Sequence, residues 1–135
     1  MKEKTSTNTR STKYCSAIEK LIAELGHATN IDLLDRLRET YPNLSATTVH
    51  RATARLARRG VIGLAPSDLH GAMRYDQNTN EHDHFMCDNC GLLKDAQLKD
   101  LVVPIVEGQL EGCHIAGRIV ISGRCDKCQE KERVR

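Results

Sequence analysis

"SATTVHRATARLARRG", residues 45–60, is the stretch on which the fold turns. Ser45 offers a hydroxyl to cap a helix N-terminus, and Gly60 is placed to stop the helix in a left-handed turn. Between them Val49, Ala52 and Leu56 recur at helical spacing, which predicts one buried face. Arg51, Arg55, Arg58 and Arg59 accompany them, with no acid between Ser45 and Gly60. The first turn presents Thr47 and Thr48, small polar residues of the kind that meet base edges in a major groove. An ordinary solvated basic helix would also show the arginines, so the neighbouring segments decide between the two.

Upstream, "YCSAIEKLIAEL" (14–25) places Ile18, Leu21, Ile22 and Leu25 at helical spacing and is closed by Gly26. "NIDLLDRLRETYP" (30–42) predicts a second helix, with Asn30 as its cap, Ile31, Leu34 and Leu37 as its apolar stripe and Pro42 beyond its end. Downstream, "VIGLAP" (61–66), "SDLHG" (67–71) and "AMRYD" (72–76) read as strand, turn and strand. Three short helices and a hairpin make a winged helix-turn-helix domain over residues 1–76. That context favours a DNA-reading role for helix 45–59. Residues 1–11 are polar and are expected to form a frayed arm.

Charge divides at the same place. Residues 1–75 carry 12 Lys/Arg against 7 Asp/Glu, or +5, and residues 76–135 carry 8 against 11, or −3. A basic front suits a polyanion, and an acidic back rich in His and Cys suits cations. The chain has 135 residues, 39% of them hydrophobic, with no Trp, one Phe and three Tyr. Cores built from Leu, Ile, Val and Ala in two domains of about 60–80 residues call for a metal staple or a dimer interface. So few aromatics count against modules that stack single-stranded bases. No apolar run approaches the ~18 residues of a membrane span, and the N-terminus shows no signal-peptide apolar region. The expectation is a cytoplasmic protein with reduced thiols, so the six cysteines need a purpose other than disulfides.

"QNTNE" (77–81) reads as a linker. "HDHFMC" (82–87) and "LLKDAQ" (92–97) predict strands around a Cys-x2-Cys-Gly turn. Pro104 is expected in the first turn of a helix that runs to about Glu111, and "GRIVISGRC" (117–125) predicts a further strand. Cys87 with Cys90, and Cys125 with Cys128, form two knuckles whose thiolates can share one tetrahedral cation, and four thiolates suit Zn²⁺. Cys15 and Cys113 lack a partner at such spacing and are expected to be small buried residues. His82 and His84, two apart on a strand, point to one face while Asp83 points to the other. Two imidazoles do not complete a site, and the nearby carboxylates are Asp76 and Asp95. A mixed nitrogen and oxygen set suits Fe²⁺, Mn²⁺ or Zn²⁺.

"RYDQNTNEHDHFMCDNCGLLKD", the distant "CDKC" and the helix-turn-helix segment "YPNLSATTVHR" together resemble the ferric uptake regulator superfamily. The resemblance runs from about Thr12 to Cys128 and implies an α+β chain, in which a winged-helix domain (1–76), a hinge (77–81) and a C-terminal α/β dimerisation domain (82–135) follow one another. It further implies a homodimer on a double-stranded, palindromic operator, with structural Zn²⁺ in the four cysteines and a regulatory metal at the hinge. Carried over position by position, the regulatory ligands are His27, Asp76, His82, His84 and Asp95. On helix 45–59 the residues expected to face DNA are Thr47, Thr48, His50, Arg51, Arg55 and Arg58.

Iron sensors of the family usually place Glu where this chain has Asp76 and Asp95, whereas peroxide sensors place Asp at both. The resemblance is therefore nearest to the peroxide-sensing, PerR-like branch. There, peroxide oxidises a histidine ligand, at the position of His27 or His82, and metal and DNA are released. The chain departs from the family at His50, where a Tyr is usual, and at "TKYC" in place of "TPQR". Gly117 stands near the position of a histidine that serves a second metal site in many members, so that site is not expected, although Glu81 and Asp83 remain and His114 is an available substitute.

Three readings compete. The first is a metal-dependent repressor that senses peroxide, holding Fe²⁺ or Mn²⁺. The second is the same fold with metal availability as the signal, and with Fe²⁺, Mn²⁺ or Zn²⁺ as reversible co-repressor. The third is a zinc hydrolase or metal carrier without DNA binding. A hydrolase needs an open coordination position and a positioned base, and a carrier has no use for an arginine-rich helix. The expectation is a regulator, not an enzyme.

Overall fold

The computed structural model describes the backbone of residues 2–133 and the side chains of residues 13–133. It is an α+β chain that divides into two compact units, Met1–Asn80 and Glu81–Arg135.

The first unit is built on three helices, α1 (Lys2–Leu25), α2 (Asn30–Leu37) and α3 (Ala46–Arg58). Three short strands, β1 (His27–Thr29), β2 (Gly63–Ala65) and β3 (Arg74–Asp76), form an antiparallel sheet in the order β1-β3-β2. Helix α1 packs on α2 and α3. Between them, Ile18, Ile22, Leu33, Leu34, Leu37, Leu44, Val49, Leu56, Ile62 and Tyr75 make one aliphatic core.

Helix α3 follows its sequence closely. Ser45 accepts from the Thr48 amide at 3.2 Å, and Val49, Ala52 and Leu56 are buried. Gly60, at φ +72°, ends it, with Gly60 N–H donating to Ala57 and Val61 N–H to Leu56. Only glycine takes that φ without a Cβ clash, and the paired bonds satisfy the last carbonyls.

Three expectations need correction here. The N-cap of α2 is Thr29, not Asn30: Thr29 Oγ1 accepts from the Asp32 amide and the Asp32 carboxylate from the Thr29 amide, a reciprocal capping box. The buried face of α2 is accordingly Leu33, Leu34 and Leu37, and Ile31 is 65% exposed. The arm expected over 1–11 continues α1 back to Lys2, since no Gly or Pro interrupts the helix before Gly26. His27 opens β1 and pairs with Asp76 on β3.

In the second unit, β4 (Asp83–Cys87) is the centre of a sheet ordered β5-β4-β6, antiparallel to β5 (Leu93–Ala96) and parallel to β6 (Val120–Gly123). The parallel pair requires a crossover, and α4 (Lys99–Gln109) lies in that connection. Pro104 lies inside α4, not in its first turn, and withholds the N–H that would reach the Asp100 carbonyl. A last helix, α5 (Asp126–Arg133), carries Cys128, and it escapes sequence reading because Cys128 is its one buried residue. Cys113 is exposed and Cys15 half-buried, so the burial expected of both is wrong for Cys113.

Candidate metal centres

Strand β4 sorts two donor sets by alternation. Asp83, Phe85 and Cys87 share one face, and His84, with His82 just before the strand, shares the other. Phe85 packs against Cys87, Cys125 and Cys128, while the rings of His82 and His84 lie 4.5 Å apart on the opposite side. A Cβ on Gly123 would come within 3.1 Å of the Phe85 ring, so the thiol side is closely filled.

The sulfurs of Cys87, Cys90, Cys125 and Cys128 all lie within 4.8 Å of one another. The Cys90 and Cys125 sulfurs are 3.7 Å apart. Tetrahedral Zn–S bonds of about 2.3 Å place neighbouring sulfurs about 3.8 Å apart, so the donors fit that cation. N–H groups point at the sulfurs: Asn89 Nδ2 donates to Cys128 at 3.3 Å and the Cys90 amide to Cys87 at 3.5 Å. Backbone N–H groups of Cys125 and Cys90 draw the Cys87 thiol down to about 6, within reach of the thiolate a metal needs. Cys90 is relieved by the Leu92 amide, yet its neighbouring sulfurs and burial push it up to about 11. Cys87 and Cys90 thus lose their protons unequally until a cation balances the charge.

The histidine face of the second unit converges on one oxygen. His82 Nε2 and His84 Nε2 lie 3.4 and 3.3 Å from Asp95 Oδ1, and His84 and Asp95 are direct partners across β4 and β5. Both imidazoles are buried and Asp95 is half exposed. Bonds of about 2.1 Å to nitrogen and oxygen set ligand atoms about 3.0–3.4 Å apart, so this trio also fits a cation. In the first unit, His27 Nε2 lies 3.5 Å from Asp76 Oδ2, where cross-strand pairing brings the two together. Asp76 is buried and also accepts from the Asn78 amide.

Asp83, on the thiol face, was not marked as a functional residue by sequence reasoning. It is 1% exposed and accepts backbone N–H bonds from Leu98 (2.9 Å), Lys99 (3.2 Å) and Ile119 (2.9 Å). Helix α4 has Leu98 at its N-cap and no side-chain cap of its own, so a remote carboxylate supplies it. Burial opposes the charge, but the three N–H donors outweigh it and hold the carboxyl below the usual range. The signal available in sequence was the missing cap at 98. Beside it Lys99 pairs with Glu81 at 2.6 Å, and His114 pairs with Glu107 at 2.9 Å.

On α3, Thr47, His50, Arg51 and Arg58 are exposed, and Thr48 and Arg55 are half-buried. Arg51, Arg55 and Arg58 stand four and three residues apart, which puts them on one stripe away from Val49, Ala52 and Leu56. Thr48 is partly engaged with Ser45, its hydroxyl 2.9 Å from the cap oxygen.

The model of the ferric uptake regulator family matches residues 6–111. Cys125 and Cys128 lie beyond that match, and their grouping with Cys87 and Cys90 rests on the geometry above. The chain is 31% identical over 122 residues to the peroxide operon regulator of Bacillus subtilis (strain 168), covering 85% of this chain and 80% of that one. Among solved structures it resembles the Campylobacter jejuni peroxide stress regulator, with TM-score 0.71 and 22% identity, over 94% of this chain and 97% of that one. It also resembles a zinc uptake regulator complexed with zinc and DNA, with TM-score 0.59 and 25% identity, over 89% of this chain and 83% of that one. The chain belongs to the ferric uptake regulator family of metal-responsive regulators.

Proposed function

We propose that this chain is a dimeric, metal-dependent transcriptional repressor that binds double-stranded DNA through α3 and responds to peroxide. The observation that carries this reading is the convergence of two buried imidazoles on one Asp95 oxygen, a set that a regulatory Fe²⁺ or Mn²⁺ can use. The full regulatory set is His27, Asp76, His82, His84 and Asp95, with the first two supplied by domain 1–76 and the rest by domain 82–135 across hinge 77–81. Aspartate at both 76 and 95 favours peroxide over metal level as the signal. So does the similarity to the Bacillus subtilis peroxide operon regulator. Held by these residues, Fe²⁺ would supply one-electron reduction of peroxide, which redox-inert Zn²⁺ would not. The chain's own part is to present oxidisable imidazoles, and the resemblance to the peroxide-sensing branch implies those of His27 and His82.

The four cysteines hold structural Zn²⁺. Thr47, Thr48, His50, Arg51, Arg55 and Arg58 face the duplex, a reading supported by the likeness to a zinc uptake regulator complexed with DNA. A symmetric dimer then reads two half-sites of a palindrome. Dimerisation is supported by α4, all of whose residues lie at exposed or intermediate positions, with Leu101 and Ile105 each 71% exposed. The proposed location is the cytoplasm, and among the described residues no helix is long and apolar enough to cross a membrane.

The test is duplex binding by anaerobically prepared Fe²⁺-loaded and Mn²⁺-loaded protein, before and after low H₂O₂, with peptide mass spectrometry. The Fe²⁺ form is expected to release DNA and gain one oxygen on the peptide holding His27 or His82, while the Mn²⁺ form resists. Equal resistance of both forms, with no oxidised histidine, would reject peroxide as the signal and leave metal availability in its place.

A further inference from the structure

At the start of α2, Asn30 bridges to α3. Its Oδ1 lies 2.9 Å from the hydroxyl of Thr53, which is fully buried, and its Nδ2 lies 3.3 Å from Nδ1 of His50, which is exposed. The backbone at Asn30 is itself fixed by the Thr29–Asp32 capping box. The Thr53 hydroxyl also lies 3.1 Å from the carbonyls of Val49 and His50; where its proton goes to Oδ1, the amide turns its nitrogen to the ring. An amide nitrogen only donates, so in that arrangement His50 Nδ1 is the accepting nitrogen. In a neutral imidazole the proton is then on Nε2.

We propose that Asn30 is a positioning residue for DNA reading: anchored by Thr53, it holds the His50 ring with Nδ1 inward and Nε2–H outward, as a donor to an acceptor on a base edge. The inference rests on the reading of α3 as the DNA-binding helix and adds the chemistry of one contact. Thr47 lies one turn before His50, so the two polar side chains share one side of α3, next to the arginine stripe. A neutral donor of fixed direction carries sequence information that a lysine or arginine on a phosphate does not. Its partners in the major groove are guanine N7 and O6, adenine N7 or thymine O4. A ring already anchored also loses little rotamer freedom on binding.

Two measurements on the full-length protein test this, the first with its zinc alone and the second with zinc and Mn²⁺. The first is nitrogen NMR of the His50 imidazole. The wild type is expected to show the Nε2–H tautomer, and N30A or T53V a mixture of both; T53V keeps the volume of the buried site while removing its hydroxyl. The second uses duplexes selected by the wild type from a random-sequence pool. N30A and H50A are expected to lose preference at the same base pair, by about three- to tenfold, the worth of one hydrogen bond. N30A/H50A should be no worse than H50A alone, because Asn30 acts through His50. An Nδ1–H tautomer in the wild type overturns the proposal, and so does N30A with unchanged base preference. Equal weakening on every duplex, the mark of a phosphate contact, overturns it as well. If the wild type selects no duplex, the DNA-binding reading falls and takes this inference with it.

Discussion

Asp83 illustrates how much one residue's meaning depends on what lies beneath it. In sequence it separates two histidines and alternation turns it away from them, which is correct as far as it goes. Its buried carboxylate in fact serves three amides contributed by two other segments. Replacing Asp83 with Ala leaves those N–H groups without an acceptor and is expected to destabilise the chain by about 3 kcal/mol, with D83N closer to wild type because one oxygen remains. Urea unfolding measures this, and a loss of less than about 0.5 kcal/mol for D83A would show that water replaces the carboxylate. The misplaced cap of α2 is a smaller case. Thr29 and Asn30 are both good caps, and Asp32 decides in favour of Thr29 because it stands three residues after it. Ile31, in the first turn, stays outside the buried face, which Leu33 completes beside Leu34 and Leu37.

Among elements, α3 was legible because cap, stop and apolar period all fall within sixteen residues and agree. Strand β1 was not, since its three residues pair with a strand more than forty residues later. Helix α5 offers no apolar period and is anchored through the thiol cluster. The cysteine pairs declared themselves by spacing, whereas the meeting of His84 with Asp95 follows from the β4–β5 register, which sequence alone leaves open. The dependence of α5, β4 and β6 on one cluster carries a prediction. C90S is expected to lose one equivalent of zinc and to unfold residues 81–135, because metal binding at such a site is folding free energy. The first unit, whose aliphatic core holds none of these sulfurs, should keep its helices. Zinc analysis with hydrogen exchange reads both, and a zinc-free C90S protein with a protected second unit would defeat the argument.

The whole molecule divides into two compact units, each with its own cluster of buried residues. The second cluster is small, and its neighbouring helix leaves Leu101 and Ile105 largely exposed. Burying such side chains contributes about 2 kcal/mol each, so their exposure argues for a second copy of the chain. I105E is expected to shift the protein to monomer in sedimentation and to weaken duplex binding more than tenfold, with zinc content unchanged. An I105E dimer as tight as wild type would move the interface elsewhere.

The alternation along β4 has a consequence for how this chain can vary. Thiolate and imidazole donors share one strand and are kept apart only by odd and even numbering. Inserting or deleting one residue between His84 and Cys87 therefore puts both kinds of donor on one face, sending either the imidazoles toward the sulfurs or the Cys87 thiol toward the carboxylate, and breaks up a donor set in either case. Paired insertions of two keep the parity but break the register with Asp95. A library of length variants should find the five residues 77–81 permissive and the six residues 82–87 closed to any change of length, however freely their individual side chains are exchanged.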